Sequence, residues 1–342
     1  NIVNIVNILV QTGLIVILFT IFGPDLAMVG GAYLIGAIVA SLVSIAFARR
    51  VCPQLRISVR SFDRSKIRDL GGMGWWVVVN QIGSLLFLQI DLIVVNLLFG
   101  DISAGEYAIA LQWVILLRAV AGVLSGVLTP TIFSYYARGE TEALIRITKS
   151  SVKLLGLAIA LPVGLVCGLA PQLLTIWVGE EFTFLAPLMI VLTIHMTINL
   201  AVLPLFSINV AHNKVRIPGI LTFFMGFGNL ALAIVLPLLT GWGYYGIAIA
   251  GAIVLTLKNA LFTPWYATRV LKINSHAFTS SMLPGVAATA LIVGAATILG
   301  MVLPLDALAM LVVTGSVITL TYIVMVWRVG LNRYERELFE SY

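Results

Sequence analysis

Four ionisable side chains stand inside long apolar stretches of this 342-residue sequence: Asp91, Arg118, His195 and Lys258. A charged side chain costs at least about 2.5 kcal/mol at a bilayer centre unless it faces protein or water. There, a carboxylate can take up a proton or a cation, and a guanidinium or ammonium group can hold a phosphate. These residues are candidates for ligand binding, with a buried ion pair or a snorkelling side chain as the alternative for the three basic groups.

Helical spacing groups the arginine with small and polar neighbours. At 100° per residue, several side chains of a predicted helix over 104–133 fall within about 60° of one another. They are Tyr107, Arg118, Gly122, Ser125 and Thr129, with Leu111 in the same sector. Such a stripe either allows another helix to approach closely or lines a wet cavity, and the arginine favours the cavity. We expect Ser125 to contact substrate there.

Helical spacing also groups polar side chains on the preceding apolar run, residues 72–99. On a predicted helix over 72–99, the side chains of Asn80, Ser84 and Asp91 share one face, whereas Gln89 and Asn96 lie opposite. The sequence therefore predicts that Asn80 and Asp91 face one interior, with Asn80 in contact with substrate and Asp91 binding the coupling ion.

Depth along the helices separates the roles of Asp91 and Arg118. Asp91 lies about 13 Å from the turn near Gly100, and Arg118 lies about 22 Å from it, at a rise of 1.5 Å per residue. The offset of about 9 Å is long for a direct ion pair, so we expect no contact within about 4 Å. Lys258 lies at nearly the depth of Arg118, and two cations at one level suit a phosphate or pyrophosphate.

The elements that must position these residues are membrane-spanning helices. The chain is 61% hydrophobic and 10% charged, with a mean hydropathy of +1.09, and its apolar runs are long enough to cross a bilayer. Barrel strands would alternate over about ten residues, so we predict an all-α polytopic membrane protein. About ten spans are predicted: 1–22, 26–48, 72–99, 104–133, 148–168, 184–209, 217–240, 243–268, 281–303 and 306–328.

Charge is segregated between the two sets of connecting turns. Of the 20 basic residues, 18 fall in or next to the connecting segments on one side of the membrane. The turns on the other side contain Asp and Glu but no Lys or Arg. The positive-inside rule places both ends of this chain in the cytoplasm. The net charge of +6 is thus an insertion signal, and no aromatic-interleaved basic surface indicates nucleic acid as a partner. We predict no metal site and no cofactor.

Two stretches carry a resemblance to a known family. GWWVVVNQIGSLLFLQIDLIVVNLLFGDISAGEYAIA, residues 74–110, resembles the opening of the second bundle in bacterial oligosaccharide flippases. NKVRIPGILTFFMGFGNLALAIVLPLLTGWGYYGIAIAGAI, residues 213–253, is similar to a later hairpin of that family, with Asn229 and Pro237. The family belongs to the multidrug/oligosaccharidyl-lipid/polysaccharide (MOP) superfamily and includes exporters of the O-antigen units of lipopolysaccharide.

The resemblance implies a MATE-like transporter fold of two bundles around a cavity that opens alternately to each side. Residues 1–48 would be the last two helices of an N-terminally truncated first bundle, followed by a basic cytoplasmic linker over 49–71. Residues 72–328 would form the C-terminal bundle with two extra helices, and 329–342 a cytoplasmic tail. The chain begins inside an apolar helix without Met, which also leads us to expect a fragment.

The expected function is flipping of polyprenyl-pyrophosphate-linked oligosaccharide across the membrane, without enzymatic activity. Arg118 and Lys258 would hold the pyrophosphate, and Asp91 would bind a coupling proton or cation. The alternatives are a cation-coupled multidrug or metabolite antiporter of the same superfamily and a membrane glycosyltransferase or polymerase. The last would need large outer loops, for which only the turn over 169–183, with Glu180 and Glu181, is a candidate.

Overall fold

The computed structural model describes residues 2–23, 25–51, 64–303 and 307–340. The predicted linker over 49–71 overlaps residues outside these ranges. Apart from turns, the described residues are helical. The α-helices are α1 (Ile2–Phe22), α2 (Leu26–Val51), α3 (Arg64–Leu88), α4 (Ile90–Ala137), α5 (Thr141–Gly168), α6 (Ala170–Trp177), α7 (Ala186–Thr193), α8 (Met196–Ala201), α9 (Leu203–Ala211), α10 (Arg216–Thr240), α11 (Tyr244–Leu257), α12 (Thr263–Leu271), α13 (Ala277–Val302), α14 (Leu308–Met325) and α15 (Arg333–Glu340).

The prediction of an all-α membrane protein is confirmed. In the part of the chain that the structure describes, eight helical stretches are long and apolar enough to cross a bilayer, and Val6–Phe22 is a shorter apolar helix. One of the eight, Gly74–Ala137, is interrupted by non-helical backbone at Gly100 (φ 84°, ψ 177°). This interruption lies between the two spans that the sequence predicts over 72–99 and 104–133.

The chain divides into two compact units, Asn1–Arg68 and Asp69–Tyr342. In the first unit, α1 packs against α2. In the second, α4 packs against α5, α7, α9 and α11, and α10 packs against α11. The largest buried cluster of apolar side chains joins these helices and includes Tyr107, Leu188 and Ile247.

Small residues bring two helices of the second unit into backbone contact. A Cβ atom on Gly285 of α13 would lie 2.8 Å from the carbonyl carbon of Gly156 in α5, and one on Gly164 would lie 2.6 Å from Ile292. Lipid provides little hydrophobic drive for helix association, so close packing of this kind supplies much of the attraction. The α5 and α13 helices therefore pack closely where these glycines lie.

Two spans that the sequence predicts as single helices are irregular. The predicted helix over 184–209 consists of a 3₁₀ segment (Glu180–Leu185) and the short helices α7, α8 and α9. The predicted helix over 243–268 contains a π-helical turn, Lys258–Phe262, between α11 and α12. Pro204 and Pro264 follow such irregularities, and a proline lacks the N–H that would continue an α-helical ladder. Both irregularities adjoin the candidate site.

Candidate functional site

A cavity of about 160 Å³ lies among the helices of the second unit. Its walls come from the α3–α4 junction, α4, the break between α7 and α8, and α11. The lining residues are Phe87, Gln89, Asp91, Leu111, Val114, Ile115, Arg118, Leu192, His195, Met196, Ala248, Gly251, Ala252 and Leu255. Three of the four ionisable residues that the sequence singles out, Asp91, Arg118 and His195, therefore meet at one cavity.

Asp91 is positioned by a break in its helix. The backbone of Gln89 (φ −120°, ψ −24°) separates α3 from α4, and Asp91 follows in the first turn of α4. A carboxylate is stabilised in the first turn of a helix, where free backbone N–H groups carry partial positive charge. The residue is 7% exposed, so its charge depends on these N–H groups and on its neighbours.

Two helices supply the neighbours of the Asp91 carboxylate. The Nδ2 atom of Asn229 in α10 donates to Asp91 Oδ1 over 3.3 Å, and it also lies 3.3 Å from the carbonyl oxygen of Leu86. Gly251 in α11 allows the other carboxylate oxygen to sit against the backbone, since a Cβ there would lie 3.1 Å from Asp91 Oδ2. Asn229 and Gly251 thus hold the carboxylate at the cavity wall.

Tyr107 shows that the chain reverses at Gly100. Its hydroxyl neighbours the Asp91 carboxyl, although it has no partner in good hydrogen-bond geometry among the described residues. Sixteen residues of straight helix would separate the two by about 24 Å. The hairpin at Gly100 therefore brings the two halves of α4 side by side, which is why Asp91 and Arg118 can line one cavity.

Arg118 contributes a guanidinium group without an acidic partner. The ion pairs within 4.0 Å in the described chain are Arg138–Glu140, Lys153–Glu335 and Arg333–Glu337. The predicted absence of a close Asp91–Arg118 pair is thus confirmed for these residues. Arg118 nevertheless lies close enough to interact electrostatically with Asp91, His195 and Lys258.

His195 connects the cavity to a buried polar chain. It lies between α7 and α8, and its Nδ1 atom is 2.6 Å from Asn199 Nδ2. The Asn199 amide oxygen accepts from Asn259 over 3.0 Å, and Thr263 donates to Asn259 over 3.2 Å. Buried amides and hydroxyls that satisfy one another in this way can persist inside a membrane protein at little cost.

Lys258 lies next to the cavity rather than in its wall. It begins the π-helical turn, is 6% exposed, and its Nζ atom lies 5.8 Å from the ring centre of Phe87 and 5.4 Å from that of Phe206. Aromatic faces attract cations, and π-helical turns are frequent at functional sites. Because Phe87 itself lines the cavity, the ammonium group lies beside a residue of the cavity wall.

Two other predicted contact residues are not part of this cavity. Asn80 is half-buried in α3, where its Cβ would be 3.7 Å from a Cβ on Gly219 of α10. Ser125 is buried two turns beyond Arg118, and its carbonyl oxygen accepts a hydrogen bond from Thr129 over 2.9 Å. Thr129 in turn lies 3.1 Å from the hydroxyl of Ser207. For both residues, substrate contact stays a prediction.

Gln89 corrects the angular counting along the predicted helix over 72–99. The sequence places Gln89 opposite Asp91, but both residues line the cavity. The break at Gln89 resets the angular phase, so 100° counting does not extend across it. Sequence reasoning also missed Asn199 and Asn259, whose only signal is an amide within an apolar stretch.

Comparisons with known proteins agree with the sequence resemblance. Residues 1–136 match the model of a family described as "polysaccharide biosynthesis protein". The chain is 34% identical over 336 residues to the "uncharacterized membrane protein EpsK" of Bacillus subtilis (strain 168). That alignment covers 98% of this chain and 66% of the relative, so the chain spans about two thirds of the relative's length. No solved structure matches.

Proposed function

Because the chain belongs to the polysaccharide biosynthesis family of membrane proteins, we propose that it is part of a flippase for lipid-linked oligosaccharide. The cargo is a polyprenyl-pyrophosphate-linked repeat unit for a surface polysaccharide. The spans lie in the bacterial cytoplasmic membrane, with both ends of this chain on the cytoplasmic side, as the segregation of basic residues favours.

One observation carries this proposal: a cavity between membrane-spanning helices holds a cation without an acidic partner. Arg118 lines the cavity and has no carboxylate within 4.0 Å in the described chain. A desolvated guanidinium that faces open space binds phosphate oxygens through charge-assisted, bidentate hydrogen bonds. A buried cation without a partner raises the free energy of the folded protein unless a ligand or water solvates it.

The size of the cavity limits what enters it. A cavity of about 160 Å³ has room for several water molecules or for a small polar group. A phosphate group fits such a space, whereas an oligosaccharide does not. In our proposal the pyrophosphate contacts Arg118, the sugars lie outside this cavity, and the polyprenyl tail stays in lipid.

Asp91 and Lys258 take distinct roles in the proposed cycle. Asp91 binds the coupling proton or cation, and its neutralisation changes the field that acts on Arg118. Lys258 lies beside the cavity and not in its lining, so it acts as a second contact during the transition. Alternating access then consists of movement of one bundle against the other, with the broken helix at His195 and the π-helical turn at Lys258 as flexible points.

Replacement of Arg118 by Ala in the full-length protein tests the proposal. We expect the rate of flipping of a fluorescent polyprenyl-pyrophosphate oligosaccharide in proteoliposomes to fall at least about ten-fold, since a charge-assisted hydrogen bond contributes about 1.5–3 kcal/mol. Arg118→Lys should keep part of the activity, because it retains the charge without the bidentate geometry.

Arg138→Ala is the matched control. This arginine lies at the end of the same helix, is 55% exposed and pairs with Glu140 on the surface. It should leave transport unchanged. Normal membrane insertion of Arg118→Ala together with wild-type levels of surface polysaccharide would contradict the assignment of Arg118.

A further inference from the structure

A second group of cations lines a hollow at the end of the bundle where α5 begins. Arg146, Lys149 and Lys153 recur along one side of α5, and the hollow has a volume of about 440 Å³. We call this space the basic hollow. Its remaining lining residues are Ser150, Ser281, Asn332, Tyr334 and Glu335.

Of the three cations in the basic hollow, Lys153 has a carboxylate partner, whereas Arg146 and Lys149 have none within 4.0 Å in the described chain. Lys153 Nζ lies 2.7 Å from Glu335 Oε2, and the same oxygen accepts the backbone N–H of Asn332 over 2.9 Å. Arg146 stacks on the ring of Tyr334 at 5.4 Å.

Two other carboxylates stand near this cation pair, and one of them, Glu140, pairs with Arg138 at 3.2 Å. Glu142 lies one helical turn before Arg146, and both residues line an adjoining hollow. Glu142 nevertheless forms no ion pair within 4.0 Å among the described residues. With Lys153 satisfied by Glu335, the free cations Arg146 and Lys149 remain available to an anion.

An apolar groove continues the same side of α5 deeper into the bundle. It has a volume of about 260 Å³, and we call it the apolar groove. It is lined by Leu154, Leu157, Ala158, Tyr322, Ile323, Val326, Trp327 and Leu331. The Tyr322 hydroxyl donates to the carbonyl oxygen of Leu157 over 2.8 Å, so the walls present hydrocarbon.

The linings of the two spaces share no residue, but they adjoin in sequence on two walls. On α5, the change from charged to apolar lining falls between Lys153 and Leu154, and on the C-terminal side it falls between Leu331 and Asn332. A boundary of this kind matches the junction between the headgroup and the acyl chains of a membrane lipid. A soluble phosphate compound would use the basic hollow and leave the groove unexplained.

We propose that the basic hollow and the apolar groove together bind one anionic diacyl phospholipid from the leaflet at this end of the bundle. The phosphate contacts Arg146 and Lys149, and one acyl chain lies in the groove. This lipid is a resident ligand and not the transported cargo, so the site is independent of the cavity around Arg118. Its binding holds α15 against α5, because Tyr334 and Glu335 border the hollow.

The test measures lipid binding by the purified full-length protein with native mass spectrometry. The probes are phosphatidylglycerol and phosphatidylcholine with identical acyl chains. We expect phosphatidylglycerol to be retained in preference. The double variant Arg146→Gln/Lys149→Gln should bind it about 25-fold more weakly, since each basic residue near the surface contributes about a five-fold change in affinity.

A second variant and a control separate the two halves of the site. Ala158 is exposed in the groove, so Ala158→Phe should fill the groove and weaken phosphatidylglycerol binding several-fold while every charge remains. Lys214→Gln removes an exposed cation outside both spaces and should change nothing. All variants are compared after their unfolding midpoints without lipid are shown to equal that of the wild type.

Three results would overturn the proposal. Equal retention of both phospholipids, or unchanged binding by the charge variant, would show that the cations do not select a headgroup. Equal competition by glycerol phosphate, which lacks acyl chains, would identify a site for soluble phosphate compounds. Preferential binding of polyprenyl phosphate over phosphatidylglycerol would identify a docking site for cargo, whatever the outcome at Arg118.

Discussion

The surroundings of Arg118 and of Lys153 differ, although both are cations on helices of the larger unit. Lys153 is 19% exposed and pairs at 2.7 Å with Glu335, which is 2% exposed. Arg118 faces a cavity and lacks any carboxylate within 4.0 Å in the described chain. A cation matched by a buried carboxylate ties two segments together, whereas a cation beside open space keeps its binding capacity for a ligand.

Loss of the Lys153–Glu335 ion pair should have the largest effect on stability. Glu335→Ala leaves Lys153 without its partner and removes the acceptor for the backbone N–H of Asn332. We expect the free energy of unfolding to fall by about 3 kcal/mol, measured by denaturant titration in detergent. Transport per folded molecule should stay close to that of the wild type.

The neighbouring pair Arg333–Glu337 provides the control for this change. Its side chains are 95% and 59% exposed, and exposed pairs one helical turn apart contribute about 0.3–0.5 kcal/mol. Glu337→Ala should therefore cost far less than Glu335→Ala. Similar losses in the two variants would mean that burial of the Lys153–Glu335 pair contributes nothing.

Loss of the Arg118 charge should instead abolish flipping without lowering stability. Arg118→Met removes a charge that has no acidic partner and keeps a long apolar side chain. We expect stability to stay the same or to rise by about 1 kcal/mol, while flipping is lost. A large destabilisation would indicate that Arg118 has a structural partner and would remove the contrast with Lys153.

The hydrogen bond from Asn229 to Asp91 should contribute less to stability than the Lys153–Glu335 pair. Asn229→Ala removes the hydrogen bond to Asp91 Oδ1 and leaves a buried carboxylate with fewer donors. We expect the free energy of unfolding to fall by about 1.5 kcal/mol, the lower end of the range for hydrogen bonds to charged groups, because the donor–acceptor distance is 3.3 Å. Asn229→Asp, which places a second carboxylate beside Asp91, should lower it more, and an unchanged stability in both variants would exclude Asn229 as the positioning residue.

Much of the fold is readable from the sequence because the bilayer imposes strong conditions. A run such as 217–240 must be helical in lipid, and its length is set by the membrane thickness. The unusual position of Asp91, Arg118 and Lys258 is also readable, because an ionised group in an apolar run stands out without any knowledge of its neighbours.

The positions of side chains around a helix cannot be counted across a break in that helix. No proline or glycine lies next to Gln89 or His195 in the sequence to mark a break there. The break at Gln89 places it beside Asp91, and the break at His195 turns a lone histidine into a cavity residue. Local patterns do not reveal such breaks, because they depend on the packing and hydrogen bonds of other helices.

The sequence alone determined the helical class, the candidate spans and the small set of charges buried along them, because each follows from the cost of placing polar groups in lipid. The tertiary structure decided which charges have partners. The hairpin at Gly100 brings Asp91 and Arg118 to one cavity, Asn229 reaches Asp91 from α10, and Glu335 reaches Lys153 across 182 residues of sequence. Partners so far apart in sequence follow from helix packing, which no local spacing encodes.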